Sequence, residues 1–362
     1  MSRLPHVCGL CLLLRIWQLL ALAPFRMSGR VGARCQRWVT LSAALRWVLL
    51  TSLAPVILWK TAAMYEATNV RHSAIFKIIA VATMVGDVCI SLALLGTNLW
   101  NRKELAKLVS GLARLHRRRR LSWWSTLFLW LKLFLSLYQL LCNVPFLEGA
   151  GSRLPWYQLL AYGVQLYVEH VSSVYANGIF GGMLLILECY NQLEREEPPP
   201  DRLLQRERSW LKLVQRFVDV FQLGIFLLVF GSFINILANM YAFMSYFVSL
   251  HGVPLTISNN CLIMAVQLYA MILAAHLCQV RSAQLRKVCL NLEYVPAGLT
   301  LEKAMTTSTP FPLVSPTGSV KFRIIGLFTL DNSFWLFLVS YAMNFIVVIL
   351  QFSLENMKQA QT

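Results

Sequence analysis

Charge is scarce in this chain. Only 14% of its 362 residues are Asp, Glu, Lys or Arg, and 57% are hydrophobic; a soluble globular protein carries about 25% charged residues. Acidic residues are scarcer still, 16 against 33 basic ones, for a formal net charge of +17. No Asn-x-Ser/Thr sequon occurs, which suits a chain with little mass outside a membrane. There is no H-E-x-x-H, no G-x-S-x-G and no phosphate-cradling G-x-x-x-x-G-K, and the histidines (6, 72, 116, 170, 251 and 276) are scattered. No catalytic constellation emerges, so the chain is read as a non-enzyme without cofactor. Cys8 and Cys11 form a lone C-x-x-C with no partner pair and no histidine at ligand spacing, so no metal site is expected. Cys142 and Cys261 fall near one surface and could pair; the other cysteines read as small apolar residues.

What the chain does have is long apolar runs. Seven of them, at 41–59, 74–99, 123–146, 156–181, 221–247, 257–279 and 326–352, are each long enough to approach or cross a hydrocarbon core of about 30 Å as a helix. Continuous runs of this length exclude the alternating strands of a membrane barrel. The expected fold is an all-α polytopic membrane protein with seven transmembrane helices. An earlier stretch, 7–25, resembles a signal peptide with Ala21-Leu22-Ala23 as a cleavage motif, but Arg15 interrupts its apolar centre. A cytoplasmic or interfacial amphipathic helix is the favoured reading.

In a soluble protein the positive charge would suggest nucleic acid; here its distribution sets topology. Basic residues crowd the segment before the first span (Arg3, Arg15, Arg26, Arg30, Arg34, Arg37) and the loop 101–122 with its Arg117–Arg120 run. They also crowd the stretches 191–216 and 281–325. Outside the spans, only Lys60, Arg71, Arg153 and Lys358 lie on the other side. The positive-inside rule places the N terminus in the cytoplasm and the C terminus outside. The arginine run is read as an anchor to anionic lipid, with no nucleic-acid partner. A seven-helix G-protein-coupled receptor has the inverse orientation and is excluded. The organisation is then a cytoplasmic segment 1–40, six spans with basic loops over 41–280, a cytoplasmic loop 281–325, the last span 326–353 and an extracellular tail 354–362. Helical pattern over about 156–196 and 203–250 outruns a membrane, with Pro198-Pro199-Pro200 breaking the chain between. These helices are expected to continue into the cytoplasm as a hairpin.

Ionisable groups inside spans are costly and raise a functional question: Asp87, Lys132, Glu169 and His170. They are either a proton or ion relay, as in a secondary transporter, or neutral and paired groups between helices, the ordinary case. The outer halves of the spans carry Tyr138, Asn143, Tyr157, Tyr162, Tyr241 and Tyr246. An aromatic pocket with few polar groups would suit a small organic ligand; an interfacial aromatic belt is the alternative.

In the last span, Ser333, Ser340, Asn344, Gln351 and Glu355 fall within an arc of about 60° at 100° per residue. Such a stripe faces other helices or water. The ending Asn344-Phe345-Ile346-Val347-Val348-Ile349-Leu350-Gln351-Phe352 resembles the C-terminal signature of insect gustatory receptors. In that family a Thr-Tyr pair, five apolar residues and Gln-Phe close the seventh span; here Asn344-Phe345 stand where Thr-Tyr is usual. Gly326-Leu327-Phe328-Thr329-Leu330-Asp331-Asn332 is similar to the family's entry to that span. The resemblance implies a ligand-gated, non-selective cation channel of the plasma membrane of sensory neurons, a homo- or hetero-tetramer whose seventh helices line the pore. It implies a small-molecule tastant bound in the outer halves of the second to sixth spans, with a lean to bitter or deterrent compounds. Carried over by position, Gln351 and Phe352 form the constriction, with Val348 as an apolar gate neighbour and Asn344 supplying polarity on the same face. An odorant receptor subunit of the same architecture is the near alternative.

Overall fold

The computed structural model describes residues 4–28, 32–68, 74–118, 122–142, 155–196, 200–248, 255–293 and 320–361. The described helices are α1 (Leu4–Leu19), α2 (Arg37–Thr68), α3 (Ala74–Trp100), α4 (Arg102–Arg118) and α5 (Trp123–Cys142), then α6 (Trp156–Glu196), α7 (Pro200–Val248), α8 (Leu255–Glu293) and α9 (Asn332–Gln361). Two short antiparallel hairpins accompany them: β1 (Arg26–Ser28) with β2 (Gly32–Arg34), and β3 (Arg323–Ile324) with β4 (Phe328–Thr329). Seven helices, α2, α3 and α5–α9, are long and apolar enough to cross a membrane. They correspond to the seven runs read from the sequence, and the chain is an all-α multi-pass membrane protein.

Three elements differ from the sequence reading or refine it. The basic stretch after α3, read as a loop, forms the helix α4. Leu105, Leu108, Val109 and Leu112 recur at helical spacing and are buried, while Lys103, Lys107 and Arg114 point away. Glu104 in its first turn accepts a hydrogen bond from Lys107 at 2.6 Å and lies 3.7 Å from Arg216 of α7. The Lys107 hydrogen bond is the main reason its carboxyl titrates below the usual range.

The helices α6 and α7, of 41 and 49 residues, reach about 60 and 75 Å at the helical rise, well beyond a bilayer core. Pro200 opens α7, where a missing N–H costs nothing. Near the turn between them Tyr190 meets the Trp210 ring edge-on at 5.8 Å, so the two helices pack as a hairpin.

The N-terminal segment is built into the bundle. Ala21 takes φ 61° at the end of α1, and Ala23 N–H donates to Trp17 O in a left-handed cap. Leu22 and Ala23, part of the would-be cleavage motif, are fully covered, and Asn98 of α3 donates to Leu22 O at 2.8 Å. Arg46 of α2 donates to Leu19 O at 2.8 Å, a cation at the carbonyl end of α1. Trp17 stacks on Tyr175 at 5.5 Å and donates to Val174 O at 2.9 Å.

Burial is uneven. The main core gathers α1, the end of α3, α4, the later half of α6, the first half of α7, α8 and the β3–β4 hairpin. The start of α6 stands in the open, with Trp156 75% exposed. Among the described residues α9 packs along one edge, and 11% of its apolar window is buried, against 61% for α6.

Candidate functional site

Two features of the fold carry chemistry: the exposed side of α9 and a polar cavity among the other crossing helices. The entry to α9 is a strap, not the continuous helix expected from Gly326 onward. Ile325 and Gly326 take φ of 51° and 73°, and the chain reverses so that Arg323 pairs with Thr329 and Ile324 with Phe328. Phe322, Ile324 and Leu330 are buried beneath the strap, and Phe322 meets Phe217 of α7 edge-on. Gln279 of α8 donates to Leu330 O at 2.8 Å. Asp331 then caps the helix by accepting from Phe334 N–H at 3.0 Å.

Beyond the cap, Leu338 and Ala342 are buried against the rest of the chain, with Phe334, Trp335 and Phe345 partly covered beside them. Ser333, Ser340, Asn344 and Gln351 are exposed or partly so. At 100° per residue the polar stripe lies about 160° from the packed edge. Ser333, Ser340, Asn344 and Gln351 therefore point away from the described helices of their own chain. Val348 is exposed as well; Phe352 and Glu355 lie on α9 but their side chains are outside the described set.

The cavity, of about 100 Å³, is lined by five helices: Asp87 and Ile90 of α3, Lys132 and Gln139 of α5, His170 and Ser173 of α6, Gly231 and Asn235 of α7, and Met264, Gln267 and Met271 of α8 among others. The ionisable groups Asp87, Lys132 and His170, isolated in sequence, thus share one space. Each is held by polar neighbours. Asn235 donates to Asp87 Oδ1 at 2.6 Å, and Lys132 Nζ donates to Gln267 O at 3.0 Å while facing the Phe180 ring at 5.3 Å. His170 Nε2 lies 3.3 Å from Ser136 O. Ser136 also accepts from Ser173 at 3.1 Å and from Asn177 at 2.8 Å. Gln267 Nε2 donates to Gln139 Oε1 at 3.3 Å. A Cβ at Gly231 would overlap Ile90, so glycine there lets α3 and α7 close one wall. The result is a small polar space, its charged and amide side chains set among Ile, Leu and Met, with fixed donors and acceptors that can hold a small polar molecule.

Three of the aromatic residues singled out in the sequence make their contacts elsewhere. Tyr138 stacks on Phe134 at 6.4 Å and accepts from Asn259 at 3.4 Å; Tyr157 lies under Lys60 Nζ at 5.3 Å; Tyr241 is half-buried. None of these three lines the cavity. Asn143 lies outside the described residues, and the side chains of Tyr162, Glu169 and Tyr246 are outside the described set. Sequence reasoning missed Gln139, Ser173, Asn235 and Gln267. A signal was present: Lys132 and Gln139 are seven apart, and Gly231 and Asn235 four apart, each pair on one face of an apolar run. Cys261 is a free thiol, so it is not bridged to Cys142.

The geometry can be set beside known proteins. The family model described as 7tm Chemosensory receptor matches residues 10–356. A curated protein of Drosophila melanogaster named gustatory receptor 89a is 76% identical over 362 residues, covering 100% of both chains. The solved structure of the insect olfactory receptor OR5 from Machilis hrabei, in complex with eugenol, shares the fold with a TM-score of 0.62 at 12% identity, over 96% of this chain and 98% of that one. The chain belongs to the 7tm chemosensory receptor family, among the insect gustatory receptors.

Proposed function

We propose that this receptor is a subunit of a tastant-gated, non-selective cation channel in the plasma membrane of sensory neurons. Its N terminus is cytoplasmic and its C terminus extracellular, and four subunits, identical or mixed, surround a pore lined by α9. The observation that carries this reading is the polar stripe of α9, turned about 160° from the edge packed on its own chain. A row of Ser, Asn and Gln needs water or polar partners at membrane depth, and a shared axial pore supplies both. Gln351 amides can solvate a passing cation without holding it, while Val348 and Phe352 close the path by excluding water.

The ligand site in this reading is the polar cavity. It lies among the second to sixth spans, and a small organic ligand there would bias α8 and α7, which hold the strap leading to α9 through Gln279 and Phe217. The related olfactory receptor is in complex with eugenol, which supports a small organic ligand. Tyr138, Tyr157 and Tyr241 are the rim in this scheme. Bitter or deterrent compounds are the favoured tastants. A ligand opens the channel by binding the open state more tightly than the closed one.

The test is Gln351→Ala and Gln351→Glu in cells where the channel conducts. Both are expected to change cation permeability ratios or block with surface expression unchanged. Wild-type conduction in both variants would refute the pore assignment.

A further inference from the structure

We propose that the cavity recognises the ionised carboxylate of a small organic acid, with Lys132 as the residue that binds it. This deepens the reading of the cavity as the ligand site and rests on it.

The argument begins with the charge on Lys132. The residue is 3% exposed, on the wall of the cavity. An ammonium offers three donors and no acceptor. One goes to Gln267 O at 3.0 Å, and the Phe180 face at 5.3 Å attracts the charge without neutralising it. The described ion pairs both involve Glu104, far from the cavity, so no described carboxylate lies within 4 Å of Lys132. A buried ammonium whose described partners are a carbonyl and a ring, beside an open space, is placed to bind an anion. A carboxylate placed there completes a charge-assisted hydrogen bond where water is scarce.

The surroundings favour an acid over a neutral polar molecule. Gln139 stands on the Lys132 face of α5 and accepts from Gln267 through Oε1, which leaves Nε2 to donate to the second carboxylate oxygen. Asp87, on the same cavity and like in charge to the ligand, accepts from Asn235, so the ligand carboxylate belongs on the α5–α8 side, at Lys132 and Gln139. Size limits the ligand further. A cavity of about 100 Å³ is smaller than the 150 Å³ or so that admits benzene. It suits an acid of a few carbons; longer chains require Met264 and Met271, both flexible, to move aside.

The probes are propionate and propionamide, nearly equal in size and different in charge at pH 7. The purified full-length receptor in lipid nanodiscs is titrated with each by saturation-transfer NMR and by thermal unfolding. Propionate is expected to bind and raise the unfolding temperature, and propionamide to bind at least about thirtyfold more weakly. Lys132→Met removes a buried charge and should leave the unliganded protein no less stable. It should lose propionate affinity by about thirtyfold or more, and Gln139→Leu by a smaller factor. Equal binding of the two probes to the wild type would overturn the proposal whatever the variants do. So would propionate binding that survives Lys132→Met. The wider reading is scored separately: a neutral tastant that gates current and is displaced by cavity substitutions at Asn235 or Gly231 upholds the cavity as the ligand site even when the carboxylate idea fails.

Discussion

Trp17 lies so close to α6 that a Cβ at Gly178 would overlap its indole ring. The same ring stacks on Tyr175, meets Phe221 edge-on at 6.3 Å and donates to Val174 O. Gly178→Ala is therefore expected to destabilise the receptor by about 1–3 kcal/mol, by overpacking. Trp17→Ala in the same chain should relieve the clash, leaving the double variant less destabilised than the two separate losses add to. Thermal unfolding of the four proteins forms the cycle, and strict additivity would count against the contact. Asn235→Leu removes the amide that donates to Asp87, and a cost of about 1–3 kcal/mol is expected; Asn235→Asp, which faces one carboxylate with another, should cost at least as much. At this scale the sequence was legible in kind but not in company. Asp87, Lys132 and His170 stand out as polar residues in apolar runs. Nothing local says that they meet, because the meeting depends on how five helices rotate about their axes.

The strap before α9 was the least legible element. Residues 326–330 are apolar apart from Thr329, and no proline or charge interrupts the run until Asp331, so length and hydropathy read them as helix. The backbone decides otherwise through the positive φ of Ile325 and Gly326, a conformation glycine adopts freely and the following Leu, Phe and Thr do not. Asp331 was the available sign, an N-cap three residues before Phe334. Asp331→Ala should cost about 1 kcal/mol. Gly326→Val should cost about 1–2 kcal/mol, since a branched side chain at φ 73° is strained. If the strap transmits ligand binding to α9, both substitutions shift the half-activating tastant concentration without altering permeability ratios. A change in selectivity with an unmoved dose-response would place these residues in the pore instead. The helix α4 was missed for a related reason. Its charges dominated the reading, although Leu105, Leu108, Val109 and Leu112 already traced a buried face.

For the whole molecule, composition was the strongest guide. Seven runs of sufficient length, a shortage of charge and a one-sided distribution of arginine and lysine led to the multi-pass helical fold, and the same seven helices are present. What composition could not supply is why α9 is left so bare. Leu336, Phe337, Tyr341, Met343 and Val347 are all exposed in the single chain, and the polar stripe runs beside them. Apolar exposure on that scale is met by lipid or by other subunits; in the proposed pore the stripe is met by water. The proposed orientation has its own check: an epitope after Thr362 should be stained on intact cells, and staining that requires permeabilisation would reverse the topology. The central claim is that the α9 stripe faces a water-filled pore. It is tested most directly by single cysteines at Ser340, Asn344, Gln351, Leu338 and Ala342, probed in unsealed membrane fragments, open on both faces, with a membrane-impermeant thiosulfonate biotin reagent. Thiosulfonates react with the water-exposed thiolate. Labelling of the Ser340, Asn344 and Gln351 variants, with Leu338 and Ala342 spared, is the predicted result. Equal labelling around the helix, or labelling confined to Leu338 and Ala342, would contradict it.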